Sequence, residues 1–189
     1  MGIPKAGAKS GTRGRRVGGH VDSRTRGRMV DESRAEMLEV VLPNDANPLG
    51  NILGGRVMHL IDIAGAVAAH RHARSHVVTI SVDSVDFLHP VKVGQVILLR
   101  SQVTRAFHTS MEVEVRVYLE DYITGERRQT SSAFVTFVAV DEQGMPRLVP
   151  PLIPKTAAEK RRYREALARR RRRLALAARA HQRYFEKGN

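Results

Sequence analysis

Asn47-Pro48-Leu49-Gly50-Asn51-Ile52-Leu53-Gly54-Gly55, running straight into Arg56-Val57-Met58-His59-Leu60-Ile61-Asp62-Ile63-Ala64-Gly65, is the stretch on which the fold turns. Its first part, with Asn44 and Asp45 just ahead, is dense in turn formers. After Gly54-Gly55 the character changes. Val57, Leu60, Ile61, Ala64, Val67 and Ala68 recur at helical spacing, which predicts a helix over 56–73. Ala64, Gly65, Ala66, Ala68 and Ala69 crowd it with small side chains, so another backbone can approach closely. This is the signature of a central helix wrapped by other structure.

Working outward, Met37, Glu39 and Val41 alternate with Leu38, Val40 and Leu42 as a short strand ended by Pro43. Downstream of the helix, 77–88, 95–106, 110–121 and 128–140 read as strands. Turn signals at Pro90, Gly94, Thr124-Gly125 and Gln143-Gly144 separate or end them. The segment 110–121 has clear period-two patterning, with Met111, Val113, Val115, Val117 and Leu119 on one face. Glu112, Glu114, Arg116, Tyr118 and Glu120 form the other, expected to be wet or to pair with a neighbour. One helix followed by four consecutive strands implies an α+β layer, an antiparallel sheet wrapped round that helix.

Both ends are basic. The net charge is +13, divided as +7 over residues 1–28, −4 over 29–154 and +10 over 155–189. The expected domain of 34–154 is therefore mildly acidic, and the charge concerns solubility and association rather than fold. Residues 1–33 are Gly- and Arg-rich with few large apolar side chains, so a disordered basic tail is expected. A Pro-rich link, 146–154, precedes a C-terminal basic helix over 155–189 that contains Arg169 to Arg173 in succession. Thr156 and Glu159 have the spacing of a capping box at its start. Such a helix packs weakly unless a narrow stripe of Tyr163, Leu167 and Leu174 docks. There is no Cys, which excludes disulfides and thiolate chemistry and fits a cytoplasmic setting. No apolar run reaches the roughly 20 residues of a membrane span, and the N-terminus lacks a secretory h-region.

The residues Leu42-Pro43, Asn47 to Gly55, Leu60 to Gly65, Val78-Thr79, Val82-Asp83, Phe87 to Val91, Thr109 to Val113 and Pro150 to Pro154 together resemble the hotdog-fold acyl-CoA thioesterases over about 36–165. The specific part is the GN-x-x-GG pattern followed seven residues later by Asp62. The resemblance implies hydrolysis of acyl-CoA to fatty acid and CoA. It also implies a homodimer, often a trimer of dimers, with Asn51 of one subunit and Asp62 of the other acting together at the interface. No cofactor or metal is implied. Leu53 stands where some relatives carry His or Phe before the Gly pair.

The chemistry is readable from the residues themselves. Free N–H groups at the helix start, near Gly54, Gly55 and Arg56, suit an oxyanion. Asp62, two turns on among Leu60, Ile61, Ile63 and Ala64, suits a general base or a nucleophile. Asn51 would orient water or bind the carbonyl. For the CoA phosphates the cationic and polar candidates are Arg56, Arg105, Thr109 and Ser110, with Arg161 and Arg162 further on. His72 and His76 stand at i, i+4 spacing but straddle the helix end, and no acid completes a metal motif. Asp83 and Asp86 fall on opposite faces of a strand. Two other classes remain open: an acyl-CoA-sensing domain without catalysis, and a protein tethered to nucleic acid by its basic ends, although these lack interleaved aromatics and any specific reading motif.

Overall fold

In the computed structural model, which describes residues 26–186 with side chains placed as far as Arg179, the quoted stretch is the hinge between a loop and helix α1, Gly54–Ala73. The strands are β1 (Arg28–Met29), β2 (Ala35–Val40), β3 (His76–Phe87), β4 (Val96–Ala106), β5 (Ser110–Glu120), β6 (Arg127–Val140) and β7 (Leu152–Ile153). Strands β2, β4, β5, β6 and β3 form one antiparallel sheet in that order. This is the expected α+β architecture, with α1 lying across the sheet.

The reason is the period-two patterning. Ile97, Leu99 and Val103 of β4, Met111, Val113, Val115 and Val117 of β5, and Ala133, Val135, Phe137 and Ala139 of β6 turn one face towards α1. Leu60, Ile61, Ala64, Ala68 and Ala69 meet them from the helix. Burial of this apolar surface is the main favourable contribution. Gly65 lies where the approach is closest: a Cβ there would stand 3.0 Å from the Phe137 ring. The Ser101 hydroxyl also donates to the Ala64 carbonyl at 2.7 Å, tying β4 to the helix.

Two corrections concern the ends. Residues 28–33, assigned by composition to the tail, form β1 and a 3₁₀ turn (Val30–Ser33). Val30 is 3% and Ser33 0% exposed, the Ser33 hydroxyl accepting from the Val103 amide. Averaged composition hides one well-placed Val in a Gly/Arg-rich run. The rest of the expected tail, residues 1–25, lies outside the described residues.

The second correction concerns helix α2, Ala157–Glu186. It opens with the expected box, Thr156 Oγ1 accepting from the Glu159 amide and Glu159 Oε2 from the Thr156 amide. It then packs on the other face of the sheet, so Glu112 and Glu114 are buried rather than wet. The contact is largely ionic. Arg169 meets Glu112, Arg173 meets Asp83, and Arg162 meets Glu114. Arg169 also lies over the Phe134 ring and Arg170 over Phe107. The apolar stripe is reduced to Tyr163 and Ala166, while Leu174 is 54% exposed.

Candidate functional site

The loop before α1 is built on Asn47. Its Oδ1 accepts from the amides of Leu49 and Asn51, and its own amide donates to the Asn51 carbonyl. Gly50 closes this turn at φ +74°, a conformation Gly adopts without strain. The loop is anchored to the β3–β4 connection by Ile52 to Val91 and Val93 to Gly50 hydrogen bonds. Leu53 is the N-cap of α1 and supplies no side-chain acceptor. The amides of Gly54 and Gly55 therefore have no partner among the described residues, and the space beside Gly55 is open. Free donors with a helix dipole behind them make an anion-stabilising end.

Beneath this end lies a cavity of about 360 Å³. Its lining is mostly apolar, with Ile52, Val57, Phe87, Ile97 and Val117, and includes the polar Asn47, Asn51, His89, Thr130 and Ser131. It suits an extended apolar chain that carries a polar group.

Asp62 is half-buried on α1, and the Thr79 hydroxyl of β3 donates to its Oδ1 at 2.6 Å. Its Oδ2 has no hydrogen-bond partner among the described residues. At 1.5 Å per residue, Asp62 stands about 12 Å along the helix from Gly54. One chain thus separates the carboxylate from the oxyanion donors. Met58, Ile63 and Val67 on the helix that carries Asp62 are exposed, and so are Val78, Ile80 and Val82 along β3. Strand β3 is also an edge of the sheet. A long apolar edge strand of this kind calls for a partner.

The expected phosphate ligands fare differently. Arg56 is held by Glu39 at 2.7 Å and Asp45 at 3.1 Å, so it braces the loop. Arg105 donates to the Tyr163 carbonyl and stacks on that ring at 4.0 Å, which fastens α2. Thr109 and Ser110 lie at the β4–β5 hairpin beside Val138 and Ala139, at the opposite end of the sheet from the cavity. Within one chain the structure does not bring these four together. Arg161 pairs with Glu165 on α2.

His72 is fully buried with Nε2 at 2.8 Å from the Pro150 carbonyl, and His70 packs edge-on to His76. Among the described residues no group of three or more His, Cys, Asp or Glu is placed to hold a metal. Nor is any described helix long and apolar enough to cross a membrane.

Two residues of the candidate site have no role in the sequence analysis: Asn47 stands there as a turn former and within the matching stretch, and Thr79 within a matching stretch alone. The signal for Asn47 is its place at the head of an Asn-Pro-Leu-Gly turn, where an Asn side chain accepts from amides further on; Thr79 gives none, because its partner is seventeen residues away.

Comparison with known proteins adds independent findings. Residues 49–125 match the Thioesterase superfamily. The chain is 41% identical over 132 residues to an uncharacterized acyl-CoA thioester hydrolase of Bacillus subtilis, covering 70% of this chain and 77% of that protein. The cytosolic acyl coenzyme A thioester hydrolases of Mus musculus and Rattus norvegicus are each 34% identical over 142 residues, 74% of this chain but 37% of theirs. Among solved structures, an acyl-CoA hydrolase from Staphylococcus aureus, in complex with butyryl coenzyme A, coenzyme A and coenzyme A disulfide, superposes with a TM-score of 0.80. It is 34% identical, over 86% of this chain and 99% of that one. Mutant forms of that hydrolase have alanine in place of an Asn, an Asp and a Thr spaced fifteen and seventeen residues apart. An apo-hexameric acyl-CoA thioesterase superposes with a TM-score of 0.78 at 46% identity, over 81% of this chain and 98% of that one.

Proposed function

Since this chain belongs to the hotdog acyl-CoA thioester hydrolases of the thioesterase superfamily, we propose that it cleaves acyl-CoA to a free fatty acid and CoA at a site completed by a second copy. The observation that carries the reading is the pairing of unpartnered first-turn amides at Gly54 and Gly55 with an Asp62 carboxylate oriented by Thr79.

The two parts meet only across a dimer. If β3 pairs antiparallel with its own copy about a two-fold axis, the His76 end of one strand lies beside the Phe87 end of the other. The exposed Val78, Ile80 and Val82 are then covered. The partner's hairpin is brought towards this chain's cavity, which places the partner's Thr109 and Ser110 on the side from which CoA would enter. A hexamer as a trimer of such dimers agrees with the hexameric relative.

In the proposed reaction, Asp62 Oδ2 takes a proton from water while Thr79 holds Oδ1. The hydroxide adds to the thioester carbonyl, and the oxyanion is held by the Gly54 and Gly55 amides of the partner. Collapse breaks the C–S bond, and the protonated Asp62 returns its proton to the CoA sulfur. Direct attack by Asp62 on the carbonyl, giving an anhydride that water opens, is the second route, which solvent isotope incorporation into the carboxylate separates.

The amide side chain that orients the water or binds the carbonyl is Asn51 by its motif. Asn47 is the stronger choice on the structure. Its Oδ1 is used within the loop, which aims Nδ2 outward as a donor, and the Asn47, Asp62 and Thr79 separations equal those of the replaced residues in the Staphylococcus aureus enzyme.

The test is CoA release from an acyl-CoA series, followed with a thiol reagent, to which a chain without Cys contributes nothing. Asp62→Ala should lose at least about a hundredfold, about 2.7 kcal/mol of transition-state stabilisation. Asn47→Ala and Asn51→Ala run in parallel decide which amide acts. Binding of acyl-CoA without turnover at any chain length would instead make this an acyl-CoA sensor.

A further inference from the structure

Helix α2 carries two populations of cations. Arg162, Arg169 and Arg173 point into the sheet and are neutralised there by Glu114, Glu112 and Asp83. With 3.6 residues per turn, Lys160, Arg164 and Arg171 fall on the opposite side and Arg161, Arg172 and Arg179 on the adjoining flank, and all six are exposed. Among the described residues only Arg161 of these six has an ion-pair partner, Glu165 at 3.7 Å. The result is a straight cationic ridge about 28 Å long. Its spacers are Ala168, Ala175 and Ala178, so nothing bulky stands between the charges and a flat surface. Leu174, 54% exposed, borders the ridge just past the last contact to the sheet, Arg173 to Asp83 and Thr136, while Leu176, 58% exposed, lies on the side of the inward arginines.

We propose that this outward face of α2 docks the protein on an anionic lipid surface. Charge complementarity supplies the attraction, and cations within a Debye length of an acidic bilayer each strengthen binding. The exposed Leu174 chooses between polyanions. At a headgroup boundary it buries apolar surface, whereas a phosphate backbone offers it nothing. The ridge displays no aromatic side chain for stacking on bases. The inward arginines serve to hold the helix flat on the domain so that the outward ones are presented together. This docking is independent of the proposed catalysis, since none of the ridge residues belongs to the candidate site.

The experiment is co-sedimentation of the full chain with phosphatidylcholine vesicles and with vesicles in which roughly a third of the lipid is phosphatidylglycerol. Binding is expected to the acidic vesicles only and to weaken with added salt. The combined Arg164→Gln, Arg171→Gln, Arg172→Gln and Arg179→Gln variant, which leaves every sheet-facing pair in place, should bind at least about a hundredfold more weakly with unchanged circular dichroism. Leu174→Ser should weaken binding to acidic vesicles and leave any binding to duplex DNA unaltered. Undiminished vesicle binding by the Gln variant would overturn the proposal, because the basic residues before Arg28 would then suffice. So would binding to DNA, lost in the Gln variant, by a protein that ignores vesicles.

Discussion

The two faces of the sheet are both covered by a helix, yet by opposite means. On the inner face α1 meets Val113, Val115, Val135 and Phe137 with Leu60, Ile61 and a run of alanines, a contact that is apolar apart from the Ser101 and Thr79 hydrogen bonds. On the outer face α2 meets Glu112, Glu114 and Asp83 with three arginines, one of which, Arg169, also lies over the Phe134 ring. Apolar burial is non-directional and proportional to area. An ionic cover depends on each partner being present and charged, because a buried carboxylate without its cation is costly. The inner interface therefore supplies stability, and the outer one supplies the placement of a single helix. The site follows the same division: Asp62 and the Gly54 amides both ride on α1, the element held most firmly.

The largest effect expected from breaking this comparison is on the inner face. Phe137→Ala removes a fully buried ring from the centre of the α1 contact and should cost about 3–5 kcal/mol, measured by urea unfolding. That is a large share of a typical domain's stability.

Next is Arg169→Ala on the outer face. Glu112 is 1% exposed and would retain only the Thr104 hydroxyl, so about 3 kcal/mol is expected, the low end for breaking a buried pair. The comparison sharpens with the double change Glu112→Leu, Arg169→Met. If the outer cover is about placement, the double variant should lie within about 1 kcal/mol of the wild type or above it, despite the loss from the single change. A double variant as unstable as Arg169→Ala would show that the outer pairs are the stabilising elements after all.

These two faces also differ in how far the sequence revealed them. The inner face announced itself, because alternation in β5 and the i, i+3, i+4 spacing in α1 are both periodic signals of apolar burial. The outer face did not. Glu112 and Glu114 alternate with valines as a solvent face would, and the arginines of α2 look like a solvated run. Only their meeting across 57 residues, Glu112 with Arg169, makes them a buried interface. β1 and β7 were missed for a related reason, since a two-residue parallel pair has no periodicity. In the site, the Gly54-Gly55 end and Asp62 were legible as local chemistry on one helix. Thr79 was not, because a hydroxyl on a strand says nothing about the carboxylate it will reach. That Arg56 and Arg105 are engaged within the fold was not legible, since their partners Glu39, Asp45 and the Tyr163 carbonyl come from other elements.

A smaller effect is expected at the closest approach on the inner face. Gly65→Ala gains helix propensity of up to about 1 kcal/mol but sets a methyl 3.0 Å from the Phe137 ring. Overpacking costs about 1–3 kcal/mol, so a net loss of about 1 kcal/mol should appear in the denaturation midpoint. A stabilised variant would mean that the ring can move and that the inner face is looser than its burial implies.

The smallest effect concerns pH, and it tests whether the two ends of the link from β6 to α2 respond to protons separately. Burial holds the His72 imidazole below its ordinary value of 6.5, against the Pro150 carbonyl that accepts from it; nearby Arg28 adds to the lowering and Glu32 opposes it. The folded chain thus prefers neutral His72, while the unfolded chain takes up a proton as pH falls through 6.5. Stability should therefore be full above that pH and decline below it, towards the lower folded value. At the other end, burial of Glu159 would raise its carboxyl, but the amides of Thr156 and Lys155, with Arg34, outweigh it and hold the group below its ordinary 4.5. Its contribution is present above 4.5 and is lost as pH drops further. Thermal unfolding between pH 8 and pH 4 should show the first decline starting near 6.5, and His72→Gln should flatten that part alone. The steeper fall below 4.5 should remain in this variant and be reduced in Glu159→Gln, because the two groups fasten different ends of the same link. A single change that removed both declines would make the link one cooperative latch instead of two independent fastenings.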